Sequence, residues 1–174
     1  MMILLTGGSG CGKSTFAEKL AVMLPAPRWY IAAMQPYDEE CLRKIARHRE
    51  MRRGKGFETL ERQTDMDTLT LPARGTVLLE CLCNLTANEM FAKDRTVTDP
   101  YEKILRGLEH LRAQSEHLIV VTNDVGSDTE EYSPETLKYV ETLGRLNRAV
   151  AERADTVCEL VCGIPLVLKG GLPQ

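Results

Sequence analysis

The sequence predicts an α/β fold with a mostly parallel central sheet and helices on both of its faces. Short apolar segments alternate along the chain with longer charged or amphipathic segments, as in successive βαβ units. The apolar segments lack the polar alternation of half-exposed strands, which favours strands that are buried on both faces. No repeat or linker divides the 174 residues, so we expect a single domain, 1–174.

Strands are assigned to the apolar segments in chain order. The predicted strands are Met2–Thr6, Arg28–Ala32, Thr76–Glu80, 118–122, Thr156–Val161 and 164–168. The end of the chain, 170–174, contains glycine and proline and predicts a frayed tail.

Helices are assigned to longer segments between the strands. The predicted helices are 13–24, 38–53, 82–93, 99 to about 116 and 133 to about 153. Pro25 ends the first helix and Gly54 ends the second. In the fourth helix, Asp99 is predicted as the N-cap and Pro100 as the first helical residue. Ser133-Pro134 repeats this start in the fifth helix.

The composition is that of an ordinary globular protein, with 43% hydrophobic and 27% charged residues. A formal net charge of −3 excludes a polycation that coats nucleic acid. No apolar run approaches the ~20 residues of a membrane span, and the apolar start is too short for a signal peptide, so we expect a cytoplasmic protein. Because CxxC spacing is absent, the six cysteines are interpreted as reduced thiols in apolar surroundings rather than as bridges or zinc ligands.

A glycine-rich segment follows the first predicted strand and precedes the first predicted helix. Its sequence, Gly7-Gly8-Ser9-Gly10-Cys11-Gly12-Lys13-Ser14, fits the phosphate-binding loop (P-loop) pattern G-x-x-x-x-G-K-[ST]. Glycines let backbone N–H groups curl toward phosphate oxygens, and the N-terminus of the next helix adds to the attraction. Lys13 is expected to contact the β- and γ-phosphates of a nucleoside triphosphate, and Ser14 to bind Mg²⁺. The alternative is a glycine-rich turn without a ligand.

A second magnesium ligand is expected at the end of a neighbouring strand, the Walker B position of such proteins. The strand Thr76–Glu80 ends in a carboxylate, so Glu80 is a candidate metal ligand together with Ser14. The alternative is that Glu80 only caps the helix that follows.

Missing motifs exclude several classes of nucleotide-binding protein. Regulatory GTPases recognise guanine with an N-K-x-D segment, but the comparable segment, Asn123-Asp124-Val125-Gly126, has no lysine. Transport and recombination ATPases need a longer chain and further motifs. A small phosphotransferase remains.

The second predicted helix is strongly basic. Residues 43–55 contain seven lysines and arginines and one glutamate, a net charge of +6. A bound triphosphate explains this charge with the fewest assumptions, because no aromatic side chains interleave for stacking on nucleic acid. A solvated basic helix face stays open as the alternative. His48 lies in this segment, and since a neutral imidazole can attack phosphorus, His48 is a candidate nucleophile.

Further segments complete an ordered series that covers nearly the whole chain. The series is Ile3-Leu4-Leu5-Thr6-Gly7-Gly8, Tyr30-Ile31-Ala32, Ile45-Ala46-Arg47-His48-Arg49 with Arg52, Thr59, Glu61, Leu78-Leu79-Glu80-Cys81, Asn88, Val121-Thr122-Asn123-Asp124-Val125-Gly126, Gly144-Arg145-Leu146-Asn147 and Ala154-Asp155. In this order the segments resemble the bifunctional adenosylcobinamide kinase/adenosylcobinamide-phosphate guanylyltransferase family of cobalamin biosynthesis. The P-loop alone is generic, whereas the ordered series is specific.

The resemblance implies a RecA-like P-loop fold, a homotrimer and two reactions. First, the γ-phosphate of a nucleoside triphosphate, ATP or GTP, passes to the aminopropanol hydroxyl of adenosylcobinamide. Second, a histidine attacks GTP, becomes GMP-histidine and passes GMP to the phosphorylated corrinoid, which gives adenosylcobinamide-GDP. The residue at the position of that histidine is His48. Adenosylcobinamide and its phosphate are thus the implied partners, and no nucleic acid is expected.

By position, the resemblance also implies the site residues. Lys13 and His48 are the candidate catalytic residues, and Ser14 and Glu80 are the candidate Mg²⁺ ligands. The implied nucleotide contacts are Gly7, Gly8, Ser9, Gly10, Cys11, Gly12, Lys13, Ser14, Ala33, Met34, Gln35, Arg49, Glu50, Met51, Arg52, Glu61 and Glu80.

The chain departs from the family pattern at four places. Gly10-Cys11 stands where members often have Arg-Ser, Arg47 where some have a second histidine, and Phe57 where members have tryptophan. Residues 127–133 replace a Gly-Ile-Val-Pro segment ahead of Pro134. This last change leaves the kinase efficiency, the corrinoid preference and the corrinoid-binding residues open.

Two other functions also stay open at the level of sequence. One is a kinase of a single small metabolite, in which His48 is a bystander on a phosphate-binding helix. The other is a nucleotide-binding regulator without catalysis. Nucleotide-derived label that is bound covalently to the protein distinguishes the bifunctional enzyme from both.

Overall fold

In the computed structural model, which describes residues 1–91, 99–125 and 132–173, seven strands form one sheet. The strands are β1 (Met2–Thr6), β2 (Arg28–Ala32), β3 (Phe57–Glu61), β4 (Thr76–Glu80), β5 (His117–Val121), β6 (Thr156–Val161) and β7 (Ile164–Lys169). Along the sheet they lie in the order β3-β2-β4-β5-β1-β6-β7. The β6–β7 pair is antiparallel and all other neighbouring pairs are parallel, which confirms the predicted α/β fold.

Helices cover both faces of the sheet. In the described ranges they are α1 (Lys13–Met23), α2 (Glu39–Arg52), α3 (Leu82–Phe91), α4 (Tyr101–Gln114) and α5 (Pro134–Arg153). In right-handed crossovers, the face that a helix covers depends on the direction in which the chain moves along the sheet. The chain moves toward β3 through α1 and α2, and toward β7 through α3, α4 and α5. The two groups therefore lie on opposite faces, in agreement with the contacts of α5 with α3 and α4.

The core lies where the central strands meet these helices. Ile3 of β1, Leu78 of β4 and Ile119 of β5 are fully buried. Burying one such side chain contributes about 1.5–3 kcal/mol, so the central strands are strongly stabilised by their apolar sequences. The carboxyl ends of six parallel strands meet at one edge of this sheet, where polar residues replace the apolar ones.

The boundaries of the predicted helices and strands agree with the described structure to within two residues, but one N-cap differs. Pro100 is the N-cap of α4, and Asp99 lies one position earlier, where its Oδ1 accepts a hydrogen bond from the Tyr101 N–H at 3.0 Å. The prediction that Asp99 is the N-cap is therefore wrong by one residue. Ser133 caps α5 as predicted. The predicted end of the third helix, 92–93, lies outside the described residues.

Two elements were not predicted from the sequence. They are β3 and a short 3₁₀ turn, Met66–Thr68. As an edge strand with mostly exposed residues, β3 has no continuous apolar run, and only Phe57 and Leu60 pack against the core. This strand carries Glu61 to the same edge of the sheet as Glu80.

The end of the chain differs from the frayed tail that the sequence suggested. The Gly171 carbonyl accepts a hydrogen bond from Thr156 Oγ1 at 2.7 Å, and Leu172 packs against the core. Gly170 has a φ of +69°, and a Cβ on it would lie 2.1 Å from the Asp155 carbonyl oxygen. Only glycine fits this turn back onto the sheet. Residue 174 lies outside the described residues.

All six cysteines lie in the described ranges and are free thiols. Cys81, Cys83 and Cys158 are buried, whereas Cys162 is exposed. The interpretation as core side chains therefore applies to only part of the set. Among the helices that the structure describes, none has the length and apolarity needed to cross a membrane.

Candidate active site

Residues 7–12 form a loop between β1 and α1 at the carboxyl edge of the sheet, and Lys13 and Ser14 begin α1. Gly7, Gly10 and Gly12 have φ values of 139°, 73° and 97°, a region that favours glycine. A Cβ on Gly7 would come within 2.5 Å of the Leu160 carbonyl oxygen. Gly12 is also the N-cap of α1, so the loop leads directly into the positive end of this helix. The backbone thus has the shape that phosphate binding requires.

Lys13 lies folded over this loop. Its Nζ donates hydrogen bonds to the carbonyl oxygens of Gly7 at 2.8 Å and Gly8 at 2.6 Å, and the residue is only 6% exposed. The carbonyl contacts satisfy the buried ammonium group. They also keep its positive charge at the centre of the loop, where phosphate oxygens would bind.

Ser14 and Glu80 meet beside the loop. Ser14 Oγ donates a hydrogen bond to Oε1 of Glu80, the last residue of β4. A hydroxyl and a carboxylate are oxygen ligands of the kind that Mg²⁺ prefers, and in phosphotransferases the ion takes its other ligands from water and substrate phosphates. Two protein oxygens at the P-loop therefore fit Mg²⁺. Within the described ranges, no cluster of three or more His, Cys, Asp or Glu residues competes for a metal.

The second carboxylate oxygen of Glu80 faces α2. Its Oε2 accepts a hydrogen bond from the Tyr30 hydroxyl at 3.0 Å and lies 3.3 Å from His48 Nδ1. Burial raises the pKa of Glu80, but hydrogen bonds from His48, Ser14 and Tyr30 outweigh burial. The pKa of this carboxyl is therefore held below its usual range, and Glu80 stays ionised.

Tyr30, which donates to Glu80, is itself held by two contacts on its ring. The Arg52 guanidinium lies 3.3 Å from the centre of the Tyr30 ring, and Phe57 contacts the ring edge-on with centroids 6.5 Å apart. Burial, followed by the negative charge of Glu80, raises the pKa of Tyr30 well above its usual value. The hydroxyl therefore remains a hydrogen-bond donor to Glu80.

His48 is 14% exposed and is oriented through one ring nitrogen. Its Nδ1 lies between Glu80 Oε2 and, at 3.5 Å, the Tyr30 hydroxyl. The carboxylate favours the tautomer with the proton on Nδ1, which leaves the lone pair on Nε2. No hydrogen bond from the described residues reaches Nε2, so this nitrogen is free to act as a nucleophile.

Two basic residues at the C-terminal end of α2 differ in their pairing. Lys55 Nζ, just after α2, lies 2.6 Å from Oε2 of Glu18, a fully buried residue of α1. Arg52 is 6% exposed, and its buried Nη1 has no hydrogen-bond partner in the part of the chain that the structure describes. An unpaired charged donor is costly to bury, so Arg52 Nη1 is a donor available to an anionic ligand.

A pair of thiols lies next to Glu80. Cys83 Sγ accepts a hydrogen bond from the Asn123 N–H at 3.2 Å and lies 3.7 Å from Thr122 Oγ1. A hydrogen bond from Cys81 is the largest cause that lowers the pKa of Cys83, to about 6 against the effect of burial. The same hydrogen bond and burial raise the pKa of Cys81. The contacts of Cys83 hold Thr122 and Asn123, which follow β5, against the start of α3.

The family model described as "Cobinamide kinase / cobinamide phosphate guanyltransferase" matches residues 3–168. The chain belongs to this family. The "Bifunctional adenosylcobalamin biosynthesis protein CobP" of Pseudomonas aeruginosa is 34% identical over 173 residues, 98% of either chain. The "Bifunctional adenosylcobalamin biosynthesis protein CobU" of Salmonella typhimurium is 30% identical over 97% of this chain and 100% of its own. The resemblance seen in the sequence, and the prediction of a bifunctional transferase enzyme of cobalamin biosynthesis, are confirmed.

A solved structure of an ATPase domain shares the fold at low sequence identity. It has a TM-score of 0.50 and 13% identity, and the match covers 91% of this chain and 68% of that chain. This likeness concerns the fold alone, and it confirms the predicted P-loop architecture.

The nucleotide contacts that the cobinamide kinase/guanyltransferase resemblance implied fall into two groups. One group lines a cavity of about 530 Å³ together with the candidate nucleophile His48, and it consists of Ser9, Gly10, Cys11, Gly12, Lys13, Ser14, Met34, Arg49, Arg52, Glu61 and Glu80. Gly7, Gly8, Ala33, Gln35, Glu50 and Met51 do not line this cavity.

Two members of the second group have other contacts. The Ala33 carbonyl accepts a hydrogen bond from Asn88 Nδ2 at 2.7 Å, which fixes the segment after β2. Glu50 is exposed and lies 3.4 Å from Arg53 on the outer side of α2. In this structure their side chains contribute nothing to the cavity.

The role of Tyr30 was not predicted from the sequence of this cobinamide kinase/guanyltransferase chain. Tyr30-Ile31-Ala32 belongs to the series that resembles the family, but no local pattern marks the Tyr30 hydroxyl as a partner of Glu80. Residues 127–131 of the segment that departs from the family pattern lie outside the described residues.

Proposed function

We propose that the protein catalyses both reactions of its family in the cytoplasm, where nucleoside triphosphates are supplied. It phosphorylates adenosylcobinamide with ATP or GTP, and it transfers GMP from GTP to the phosphorylated product. The observation that carries this proposal is the position of Glu80, which contacts the P-loop residue Ser14 through one oxygen and His48 through the other. One carboxylate thus places a nitrogen nucleophile beside the triphosphate site. A kinase with a single function needs no such nucleophile.

In the kinase reaction, the aminopropanol hydroxyl oxygen attacks the γ-phosphorus, the bond between this phosphorus and the β–γ bridging oxygen breaks, and the hydroxyl proton is lost to water. Lys13 and the N–H groups of the loop stabilise the charge that develops on the phosphate oxygens. Ser14 and Glu80, which contact each other, would hold Mg²⁺. The ion would supply charge neutralisation and orientation of the triphosphate.

In the GMP transfer, Nε2 of His48 attacks the α-phosphorus of GTP and pyrophosphate leaves. The Nδ1–H of His48 donates to Glu80, whose carboxylate stabilises the positive charge that forms on the imidazole as the N–P bond forms. Arg49 and Arg52 bind the phosphate oxygens. A phosphate oxygen of adenosylcobinamide-phosphate then attacks the same phosphorus, the N–P bond breaks, and the histidine is restored.

GTP labelled at the α-phosphate tests this function directly. The protein is incubated with Mg²⁺ and the labelled GTP, denatured, and digested for peptide mapping. We expect covalent label on the peptide that contains His48. Phosphorylation of adenosylcobinamide without protein-bound label would instead support the kinase with a single function. Nucleotide binding without either reaction would support the regulator.

We also propose that the protein assembles as a homotrimer, as the resemblance implies. The edge strand β7 leaves its apolar side chains in solvent, with Ile164 62%, Leu166 45% and Leu168 63% exposed. An exposed apolar edge strand favours association, and a second copy of the chain would remove it from water. Light scattering coupled to size-exclusion chromatography measures the assembly, and a monomer at all concentrations would contradict the proposal.

A further inference from the structure

The cavity has two walls of different chemistry. Because α2 and α3 lie on opposite faces of the sheet, each contributes a wall at its carboxyl edge. The wall from α2 is basic and is formed by Lys44, Arg47, Arg49 and Arg52. The opposite wall is uncharged and is formed by Cys81, Asn84, Val121 and Asn123. The P-loop leads into α1, which lies on the same face of the sheet as α2, and it also lines the cavity.

Two side-chain amides stand on the uncharged wall. Asn84, in the first turn of α3, is partly exposed, and its side chain makes no hydrogen bond with the described residues. Asn123 follows β5, and its backbone is fixed on both sides, by Cys83 Sγ at 3.2 Å and by Asn147 Nδ2 at 3.3 Å. Its side chain also forms a hydrogen bond with Cys83, which leaves the other polar atom of the amide for a ligand. An amide offers both donors and an acceptor, so this wall can pair with uncharged polar groups.

Because one wall is basic and the other is uncharged, we expect each wall to bind a different substrate. A nucleoside triphosphate is drawn to the basic wall and the P-loop, where Arg52 has a free donor. The acceptor must approach the phosphate from the side that the nucleotide leaves open. A corrinoid arm carries carboxamide groups and a hydroxyl, which match the donor and acceptor capacity of two asparagine amides.

We propose that Asn84 and Asn123 form the subsite that binds the amide-bearing arm of the corrinoid acceptor. The subsite holds adenosylcobinamide during phosphorylation and its phosphate during GMP transfer. This inference rests on the proposed function and adds to it the residues that bind the second substrate. Neither asparagine takes part in bond making or breaking; each positions the acceptor.

Formation of the GMP-enzyme provides an internal control, because this step needs GTP and no corrinoid. The experiment measures three quantities in wild type, Asn84→Ala and Asn123→Ala. These are the yield of GMP-enzyme from α-labelled GTP, the KM for nucleotide, and the KM for adenosylcobinamide in the kinase reaction. We expect each variant to raise the KM for adenosylcobinamide by about 5-fold, as for the loss of one neutral hydrogen bond, with the other two quantities unchanged.

Arg49→Ala is the reciprocal control from the basic wall. It is expected to raise the KM for nucleotide and to leave the KM for adenosylcobinamide unchanged. If Asn84→Ala does not fold, Asn84→Gln tests the same contact, because it keeps the amide but displaces it by one methylene. The same rise in the KM for adenosylcobinamide is expected from that variant.

The outcomes separate failure of the subsite from failure of the proposed function. Normal GMP-enzyme together with an unchanged KM for adenosylcobinamide in both alanine variants overturns the subsite. An equal rise in the KM for nucleotide and for adenosylcobinamide also overturns it, because the asparagines would then shape the nucleotide site. A wild-type protein that forms no GMP-enzyme and phosphorylates no adenosylcobinamide instead overturns the proposed function.

Discussion

Glu80 Oε2 lies 3.3 Å from His48 Nδ1, and this contact joins the end of a central strand to a basic helix. The other oxygen of the same carboxylate accepts a hydrogen bond from Ser14 in the P-loop. Glu80 therefore touches both the residue that would hold Mg²⁺ and the residue that would carry GMP. A change at Glu80 should alter both reactions, whereas a change at His48 should alter only one.

Glu80→Gln keeps the size of the side chain and removes its negative charge. We expect the apparent affinity for Mg²⁺ in both reactions to fall by about 10–100-fold, because the metal position loses an anionic ligand. The rate of GMP-enzyme formation should fall too, since His48 loses the carboxylate that orients it. Mg²⁺ titrations of both reactions measure the effect. Glu58→Gln, at an exposed position on β3, is the matched control, and an unchanged titration in Glu80→Gln rules out the metal role.

Tyr30→Phe removes only the hydroxyl that donates to Glu80 Oε2 and keeps the ring beneath Arg52. We expect GMP-enzyme formation to slow by roughly 5–10-fold, as for the loss of one hydrogen bond of about 1–1.5 kcal/mol. Phosphorylation should slow less, because Ser14 contacts the other oxygen. Single-turnover rates of both reactions provide the comparison.

Tyr101→Phe is the control for that variant, because the Arg145 guanidinium of α5 lies 4.4 Å from the centre of the Tyr101 ring of α4 in a similar stack. It should leave both rates at the wild-type value. Equal slowing of both reactions in Tyr30→Phe would show that the hydroxyl acts through the nucleotide site and not through His48.

The P-loop and the place of Glu80 beside it could be predicted because their chemistry is encoded locally. Glycines at fixed spacing between an apolar strand and a helix leave few other conformations, and Glu80 ends a strand that is apolar throughout. The buried central strands were predictable for the same reason, since each has a continuous apolar run.

The contacts around Tyr30 could not be predicted, because they join segments that are distant in the chain. The hydroxyl of Tyr30 comes from β2, its carboxylate partner from β4, and the guanidinium over its ring from α2. The local pattern of a sequence does not encode contacts between such distant segments. β3 was missed for a related reason: its pairing with β2, rather than an apolar sequence, makes it a strand. The amide wall with Asn84 likewise emerges only from the order of the strands.

Asp155→Asn tests a contact between the two ends of the chain. Asp155 Oδ2 accepts a hydrogen bond from the Met2 N–H at 2.6 Å, and this bond, together with the charge of Arg112, lowers the pKa of Asp155 against the effect of burial. A carboxylate with a lowered pKa stabilises the fold above its unfolded pKa, and the contribution is lost as pH falls through the folded pKa.

At pH 7 we therefore expect Asp155→Asn to melt a few degrees below wild type. The difference should begin to shrink as the pH falls below about 4, the ordinary pKa of an aspartate in the unfolded chain, and it should vanish below the lower pKa of the folded carboxyl. Thermal melts across this pH range measure it. Glu141→Gln, an exposed change on α5, should track wild type throughout. A gap for Asp155→Asn that stays constant down to about pH 2 would contradict an electrostatic origin.

His48→Ala separates the two reactions. The reactions share the P-loop but use different attacking atoms, an imidazole nitrogen in one and the substrate's own hydroxyl oxygen in the other. We expect GMP transfer to fall by about 10³-fold or more, as for the loss of a nucleophile, while phosphorylation of adenosylcobinamide stays measurable. The wild-type adduct should be a phosphoramidate, which is lost in mild acid and stable in alkali, unlike a serine ester or an acyl phosphate. His110→Ala is the control, because His110 Nε2 contacts the Leu69 carbonyl oxygen at 3.1 Å and does not line the cavity. Full GMP transfer by His48→Ala, or label on another residue, would favour direct transfer between the two bound substrates.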